Sequence, residues 1–285
     1  MYKNNRREFL VKMGLLSAAT IVGNRSYGKE ANRLSRFSLQ PALDSVHIYS
    51  TGGLVKQTTL FDNLPAGIQP KNALWLNTGD FIDPNFLDNQ SIVSQMNKQD
   101  FHVSAIGMNE WELGEEKLLK LARKCEFSLV MSHGHTISKE WDTWIKPYEI
   151  INLESRRVGI VALGPAANLV QDKEAWSQTN EWAKRLKKDR NCDMIVCLVP
   201  QGYKKSFVID CIEESEALDM MLCGSLREMK ASNRIMKNLN NRDTILVVGS
   251  EDGRTIGKQV FNMQTDSILL PQLLTHKGLK NSRNV

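Results

Sequence analysis

Short apolar runs alternate with amphipathic runs along most of this 285-residue chain. From residue 45 onward, apolar runs of five to eight residues predict strands, and several intervening runs have the apolar spacing of helices with one buried face. The predicted strands are 46–50, 73–77, 101–106, 127–131, 148–153, 157–163, 194–199, 218–222, 244–248 and 256–263. The predicted helices are 89–98, 115–124, 173–188 and 205–216. This alternation indicates an α/β protein in which helices cover a largely parallel sheet.

The pattern contains no internal repeat, low-complexity linker or sign of a second domain. Strands 148–153 and 157–163 are separated by three residues, and so short a connection joins antiparallel neighbours, which predicts a hairpin. We expect a single folded domain over residues 45–263. Residues 29–44 are predicted to be a loose polar lead-in, residues 264–285 a C-terminal tail, and residues 1–28 a separate segment.

The first 28 residues have the outline of an export signal. Paired arginines, Arg6-Arg7, precede Phe9-Leu10 and Lys12, and a modest apolar run follows over 13–23. This pattern resembles a twin-arginine signal peptide, and the small residues before and at Gly28 suit cleavage after that position. The resemblance implies a periplasmic or otherwise exported protein. The alternative is an ordinary basic amphipathic N-terminal helix.

Composition and charge narrow the class of partner. The hydrophobic fraction of 41% and the charged fraction of 24% are ordinary for a globular protein. No apolar stretch is long enough for a membrane-spanning helix. The net charge is +5, but residues 1–28 hold five basic side chains and one acidic one, so +4 of it belongs to them and +1 to the rest. A nearly neutral mature chain gives no electrostatic reason to expect nucleic acid as a partner.

The five cysteines do not form a recognisable metal or disulfide pattern. Most of them lie inside apolar runs, their number is odd, and no two have the C-x-x-C spacing of a zinc site. Buried free thiols are the prediction, with a single disulfide as the alternative in an oxidising compartment.

The stretch most suited to chemistry is the turn Gly107-Met108-Asn109-Glu110-Trp111-Glu112-Leu113-Gly114. The predicted strand 101–106 leads into it and the predicted helix 115–124 follows it. Polar turns after a strand are where α/β proteins commonly place their functional groups. A second candidate is Gly79-Asp80, which follows the predicted strand 73–77 at the same kind of position.

Read in order, these turns and the hairpin that begins Trp144-Ile145-Lys146-Pro147-Tyr148 resemble the metallophosphatase domain of the 5′-nucleotidase family, within the calcineurin-like phosphoesterases. The resemblance covers residues 45–263. It implies a four-layer α/β/β/α sandwich with a two-metal site at the strand ends. In such a site two metals clamp the phosphate and generate a hydroxide nucleophile. The family's bridging carboxylate falls on Asp80.

The chain departs from the family at most of the remaining site positions. The family's first motif, Asp-x-His, falls on Gly52 and Leu54, neither of which can bind a metal. In the turn motif, Gly-Asn-His-Glu-Phe-Asp, the metal-binding Asn has become Met108. The catalytic His has become Asn109, and the Asp that orients this His has become Glu112.

The later motifs are altered in the same way. The strand-ending His of the family falls on Pro200, and the two histidines of its last motif, Gly-His-x-His, fall on Ser225 and Arg227. Asp80 alone keeps a metal-binding side chain of the family's type, and one buried carboxylate cannot hold two dications. We therefore expect Asp80 to accept hydrogen bonds from loop amides instead.

The resemblance thus implies an exported phosphoesterase-like protein without cofactor that acts in binding or assembly. A separately encoded nucleoside-binding domain or an active phosphoesterase would be its partner, because the nucleoside-binding domain of larger family members has no counterpart in this sequence.

The alternative is a divergent phosphomonoester hydrolase acting on nucleotides with a rebuilt site. Two histidines, His133 and His135, lie two residues apart after the predicted strand 127–131. Together with Asp80, Glu110 and Glu112 they could hold manganese, iron or zinc. Two solvated loop histidines are the simpler interpretation of the same pair.

Overall fold

The computed structural model describes residues 37–39, 45–54, 73–85, 90–134, 138–153, 156–250, 255–262 and 267–275. The predicted export signal and His135 lie outside these ranges. Within them the helices are α1 (Gln90–Lys98), α2 (Met108–Trp111), α3 (Glu115–Ala122), α4 (Lys139–Trp144), α5 (Leu169–Lys188) and α6 (Lys205–Glu214).

The strands of the described part are β1 (Phe37–Leu39), β2 (Ser45–Thr51), β3 (Ala73–Asn77), β4 (Val103–Ala105), β5 (Ser128–Val130), β6 (Ile145–Lys146), β7 (Glu149–Leu153), β8 (Arg156–Ala162), β9 (Met194–Val199), β10 (Met220–Cys223), β11 (Ser232–Lys237), β12 (Asp243–Val248), β13 (Thr255–Asn262) and β14 (Ser267–Thr275). They form two seven-stranded sheets. Sheet A has the order β1-β7-β8-β9-β10-β12-β11, and sheet B has the order β14-β13-β2-β3-β4-β5-β6.

The two sheets pack face to face through a buried apolar layer. Alternate residues of the central strands enter this layer, as the two-residue period of a strand requires. In β9, for example, Val196 and Leu198 lie between the sheets, whereas Ile195 and Cys197 face the helices. Val46 and Ile48 of β2 meet them from sheet B. A strand that is apolar on both faces must be covered on both sides.

Helices supply the outer covers. On sheet B, apolar side chains of α1, α3 and α4 pack with residues such as Tyr49 and Trp75. On sheet A, α5 and α6 pack over Cys197 and its neighbours. The result is the four-layer α/β/β/α sandwich that the resemblance implied. Five strands of sheet B, β2 to β6, pair in parallel, and β7 and β8 pair antiparallel as the predicted hairpin.

Two strands lie outside the span expected for the domain. β1 pairs in parallel with β7 inside the predicted lead-in, and β14 pairs antiparallel with β13 inside the predicted tail. Strand pairing therefore continues on both sides of residues 45–263. β1 has only three residues, too few for a pattern, and β14 contains Pro271, which interrupts the apolar run. Proline is tolerated here because β14 is an edge strand.

All five cysteines are buried and free, in agreement with the sequence-based prediction. Among the described helices, none is long and apolar enough to cross a membrane.

Candidate functional site

Turns from both sheets meet at one edge of the sandwich. Sheet B contributes Gly52 after β2, Asp80 after β3 and Gly107 after β4, and sheet A contributes Gln201 after β9 and Gly224 after β10. A β carbon built on Gly52 would lie within 3 Å of Gly224, and one built on Gly107 would lie within 3 Å of the Asp80 carboxyl group. The structure therefore brings together turns that the sequence placed in separate motifs.

The turn after β3 is shaped by an asparagine that the sequence-based interpretation overlooked. Asn77 Oδ1 accepts hydrogen bonds from the Gly79 N–H at 2.8 Å and from Ser104 Oγ at 3.0 Å. Gly79 has a φ of 93°, and a β carbon there would lie 2.7 Å from the Gly107 nitrogen. Asp80 follows with a φ of 57°, unusual for a residue with a side chain. This backbone directs the Asp80 carboxyl group onto Gly107.

The Asp80 carboxyl group is buried and only partly paired. Its side chain is 1% exposed, and Oδ1 accepts a hydrogen bond from the Asn109 N–H at 3.0 Å. Oδ2 has no partner at hydrogen-bond distance among the described residues. Burial raises the pKa of Asp80, whereas the nearby amides of Asn109 and Gln201 act in the opposite direction. Asp80 thus accepts from a loop amide, as expected from the sequence.

Glu110 occupies the centre of the turns. Its Oε2 accepts hydrogen bonds from the N–H groups of Asp80 and Gly107, both at 2.8 Å. Its Oε1 accepts from those of Phe81 at 2.9 Å and Ile82 at 3.0 Å. Burial, followed by the charge of Asp80, raises the pKa of Glu110 to about 8, and the amide donors oppose this shift. Because both oxygens accept from backbone amides, Glu110 anchors the two turns.

Thr78 fills the space beside Gly52. A β carbon on Gly52 would overlap Thr78 Oγ1 and would lie 2.9 Å from the Gly224 α carbon. Thr78 is itself held, because its Oγ1 donates to the Thr51 carbonyl oxygen at 3.2 Å. The position of the family's first carboxylate ligand therefore has no room for a side chain. The sequence signal for Thr78, its place directly before Gly79-Asp80, gave no hint of this contact.

The turn 107–114 forms the short helix α2. Met108, at the position of the family's metal-binding Asn, is 39% exposed. Asn109 is half-buried and directs its backbone N–H at Asp80, and Glu112 is exposed at the end of α2. Trp111 is buried and makes an edge contact with Trp141, with ring centroids 6.1 Å apart, so it is a core residue.

His133 lies on the sheet A side of the edge. The Gly164 N–H donates to His133 Nδ1 at 3.3 Å, and a β carbon on Gly164 would meet the imidazole ring at 2.6 Å. Burial lowers the pKa of His133 to about 4, so the ring is neutral at pH 7. His133 is thus half-buried and packs against sheet A through Gly164.

A two-metal site at this edge would require several oxygen and imidazole donors. Among the residues that the structure describes, no group of three or more His, Cys, Asp and Glu side chains is arranged to bind a metal ion. Asp80 Oδ1 accepts a hydrogen bond from one backbone amide, and the Glu110 carboxyl group accepts from four. Leu54, at the position of the family's first histidine, is buried in the core beneath sheet B. The described residues do not fit a dinuclear centre.

The fold and the placement of the turns define a metallophosphoesterase-like architecture, and comparison with solved structures identifies its relatives in fold. NAD nucleotidase (NadN) of Haemophilus influenzae superposes with a TM-score of 0.66 at 16% identity over 81% of this chain and 56% of that chain. A 5′-nucleotidase precursor from Thermus thermophilus superposes with a TM-score of 0.63 at 15% identity, over 84% of this chain and 57% of that chain. Calcineurin-like phosphoesterase YfkN from Bacillus subtilis superposes with a TM-score of 0.55 at 14% identity, over 84% of this chain and 95% of that chain.

These likenesses establish the fold. The chain spans a little over half the length of the two nucleotidases, 56% and 57%. No protein-family model and no curated protein sequence matches it.

Proposed function

We propose that this protein is an exported, 5′-nucleotidase-like phosphoesterase homologue that has lost its dinuclear metal site and acts as a non-catalytic binding or assembly partner. The observation that carries the proposal is the contact of Gly52 with Thr78 and Gly224. A carboxylate ligand at residue 52 would need the space that Thr78 Oγ1 occupies, because even a β carbon on Gly52 would overlap this oxygen. In this proposal, the packing around residue 52 leaves no space for the first carboxylate ligand.

Three further positions support the proposal chemically. Phosphoesterase metals need hard oxygen and imidazole donors. Leu54 offers a core hydrocarbon, Met108 an exposed thioether, and Arg227 an exposed cation that repels a dication. Asp80 remains, but a single carboxylate does not hold two dications against their mutual repulsion.

The proposed partner follows from the length of the relatives. Both nucleotidases extend well beyond the part that this chain matches, since it covers 56% and 57% of them. The partner that we propose is a separately encoded nucleoside-binding domain or an active phosphoesterase. We place the encounter outside the cytoplasm because the first 28 residues resemble a twin-arginine signal.

Metal content and hydrolysis test the proposal together. Protein purified from the periplasm should carry no stoichiometric manganese, iron or zinc by elemental analysis. It should also release no phosphate from nucleoside monophosphates at any metal concentration. Two metals per chain that Asp80→Ala removes would overturn the proposal and favour the rebuilt hydrolase site. Phosphate release that Asp80→Ala abolishes would do the same.

A further inference from the structure

The amide cradle around Glu110 points to a binding site of a different kind. Four backbone N–H groups, from Asp80, Phe81, Ile82 and Gly107, donate to its two carboxylate oxygens over 2.8–3.0 Å. Three of them are consecutive, so the turn after β3 curls around the carboxylate. The fourth comes from the turn after β4, across the paired strands.

We propose that this cradle is a carboxyl-binding site in its own right, occupied in the native protein by the side chain of Glu110 as an internal ligand. Glu110 is 0% exposed, and no described side chain other than its own carboxylate is found to accept from these four amides. Converging backbone N–H groups form concavities that bind anions. The ligand class is a small carboxylate.

The geometry defines the size of the ligand. Glu110→Ala removes the γ carbon and the carboxylate, and these atoms together have the heavy-atom composition of an acetate ion. Cavities left by core truncation can admit small ligands that match the removed group. Acetate therefore fits the vacated volume, formate leaves a gap, and propionate exceeds it by one carbon.

The cradle explains why this residue is a glutamate. The carboxylate begins on α2, at the third helical position, and reaches back to the Gly107 N–H that precedes the helix. It simultaneously fixes the backbone that carries Asp80. Glu110 is thus a positioning residue for both turns, and it acts through their amides. An amide in its place would direct an NH₂ group at two N–H donors.

Rescue of Glu110→Ala by acetate tests the proposal, and the effect should be larger at pH 5 than at pH 8 because the charge of Asp80 opposes a second anion. The variant should melt about 10 °C below the native protein, because four buried donors lose their acceptor. Sodium acetate at about 100 mM should restore about 3–5 °C relative to sodium chloride at equal ionic strength. Formate and propionate should restore less. Amide resonances of residues 80–82 and 107 should shift with acetate concentration.

The control is Glu116→Ala, which removes a glutamate from the surface of α3, where it forms an exposed ion pair with Lys120. It should lose little stability and show no acetate effect. Glu110→Gln, which keeps the shape, should also be destabilised and should not respond to acetate.

Equal effects of acetate and chloride on Glu110→Ala, or equal acetate effects on both alanine variants, would overturn the proposal. If Glu110→Ala does not fold in chloride, its refolding yield decides: a higher yield in acetate supports the site, and an unchanged yield refutes it. None of these readouts depends on whether the protein binds metals or hydrolyses phosphate.

Discussion

Asp80 and Glu110 are two buried carboxyl groups that each anchor the other's turn. The Asp80 N–H donates to Glu110 Oε2 at 2.8 Å, while Asp80 Oδ1 accepts from the N–H of Asn109, the residue directly before Glu110. This reciprocal pairing locks the turns after β3 and β4 into one unit. It also brings two acids close enough that the charge of Asp80 raises the pKa of Glu110.

The first prediction follows from that pair. Between its ordinary pKa of 4.5 and its folded pKa of about 8, Glu110 binds more protons in the folded state than in the unfolded state. Its contribution to stability is therefore present at low pH and declines as the pH rises through that window. Asp80→Asn removes the repelling charge, so the decline between pH 5 and pH 8 should become shallower, by about 1 kcal/mol at pH 8.

Urea unfolding across this range measures the slope. Asp210→Asn, at an exposed position on α6, is the control and should leave it unchanged. A steeper decline for Asp80→Asn would show that the Asp80 carboxylate stabilises the turn as an anion.

The second prediction concerns His102, whose contribution to stability decreases as the pH falls, whereas that of Glu110 decreases as the pH rises. Burial lowers its pKa to about 4, and its Nδ1 accepts a hydrogen bond from the Trp75 N–H. The folded protein holds this ring neutral, whereas the unfolded chain protonates it near pH 6.5. The contribution of His102 to stability should therefore fall by about 2–3 kcal/mol as the pH drops from 6.5 to 4.

His102→Asn keeps an acceptor and does not titrate, so its acid slope should be smaller even though it is less stable at pH 7. The remaining slope should combine a similar loss from His133, whose pKa is also about 4, with the opposite contribution of Glu110. Denaturant midpoints of the two proteins at pH 4, 5, 6 and 7 make the comparison. Parallel curves would contradict the role of His102.

The third prediction tests the contact at Gly52. Gly52→Ala should destabilise the protein by about 3 kcal/mol, because its β carbon would overlap Thr78 Oγ1 and lie 2.9 Å from Gly224. Thr78→Gly should relieve the first of these clashes. In a double-mutant cycle, Gly52→Ala should therefore lower the free energy of unfolding clearly less in the Thr78→Gly background than in the native protein.

Gly114→Ala separates crowding from backbone strain. Gly114 has a φ of 76°, but a β carbon there would meet nothing within 4 Å. With its ψ of 162°, Gly114 lies in a backbone region that is essentially reserved for glycine, so alanine there should destabilise the protein by about 1–3 kcal/mol through backbone strain alone. Additive effects of Gly52→Ala and Thr78→Gly would mean that Thr78 does not close the position.

The fourth prediction concerns metals and stability. Chelators should leave the melting temperature of the purified protein unchanged, and manganese or zinc at about 1 mM should not raise it. An intact centre saturated a thousandfold above its Kd would add about 4 kcal/mol. Differential scanning calorimetry with and without EDTA distinguishes the two cases. A fall of the melting temperature in EDTA, reversed by manganese, would contradict the proposed loss of the centre.

The layers could be predicted from the sequence because strands buried on both faces show long apolar runs. Strands 73–77 and 194–199 have the bounds that the pattern predicted. The sequence did not predict β14 because Pro271 interrupts its apolar run. It did not predict α2 because a helix of four residues is too short to show a helical period. The sequence identified residues at the edge of the sandwich as remnants of a motif. It did not predict which residues Glu110 and Thr78 contact. That Glu110 binds four amides, and that Thr78 fills the space beside Gly52, depends on turns far apart in the chain.

The contact between Gly52 and Gly224 also has a kinetic consequence. It joins a turn near the start of sheet B to one late in sheet A, so it can form only after both sheets have been built and docked. Contacts that demand such long loop closure are made late in folding. Changes at Gly52 should therefore accelerate unfolding and leave the folding rate nearly unaltered. The edge that holds Asp80 and Glu110 would then be the last part of this protein to close and the first to open.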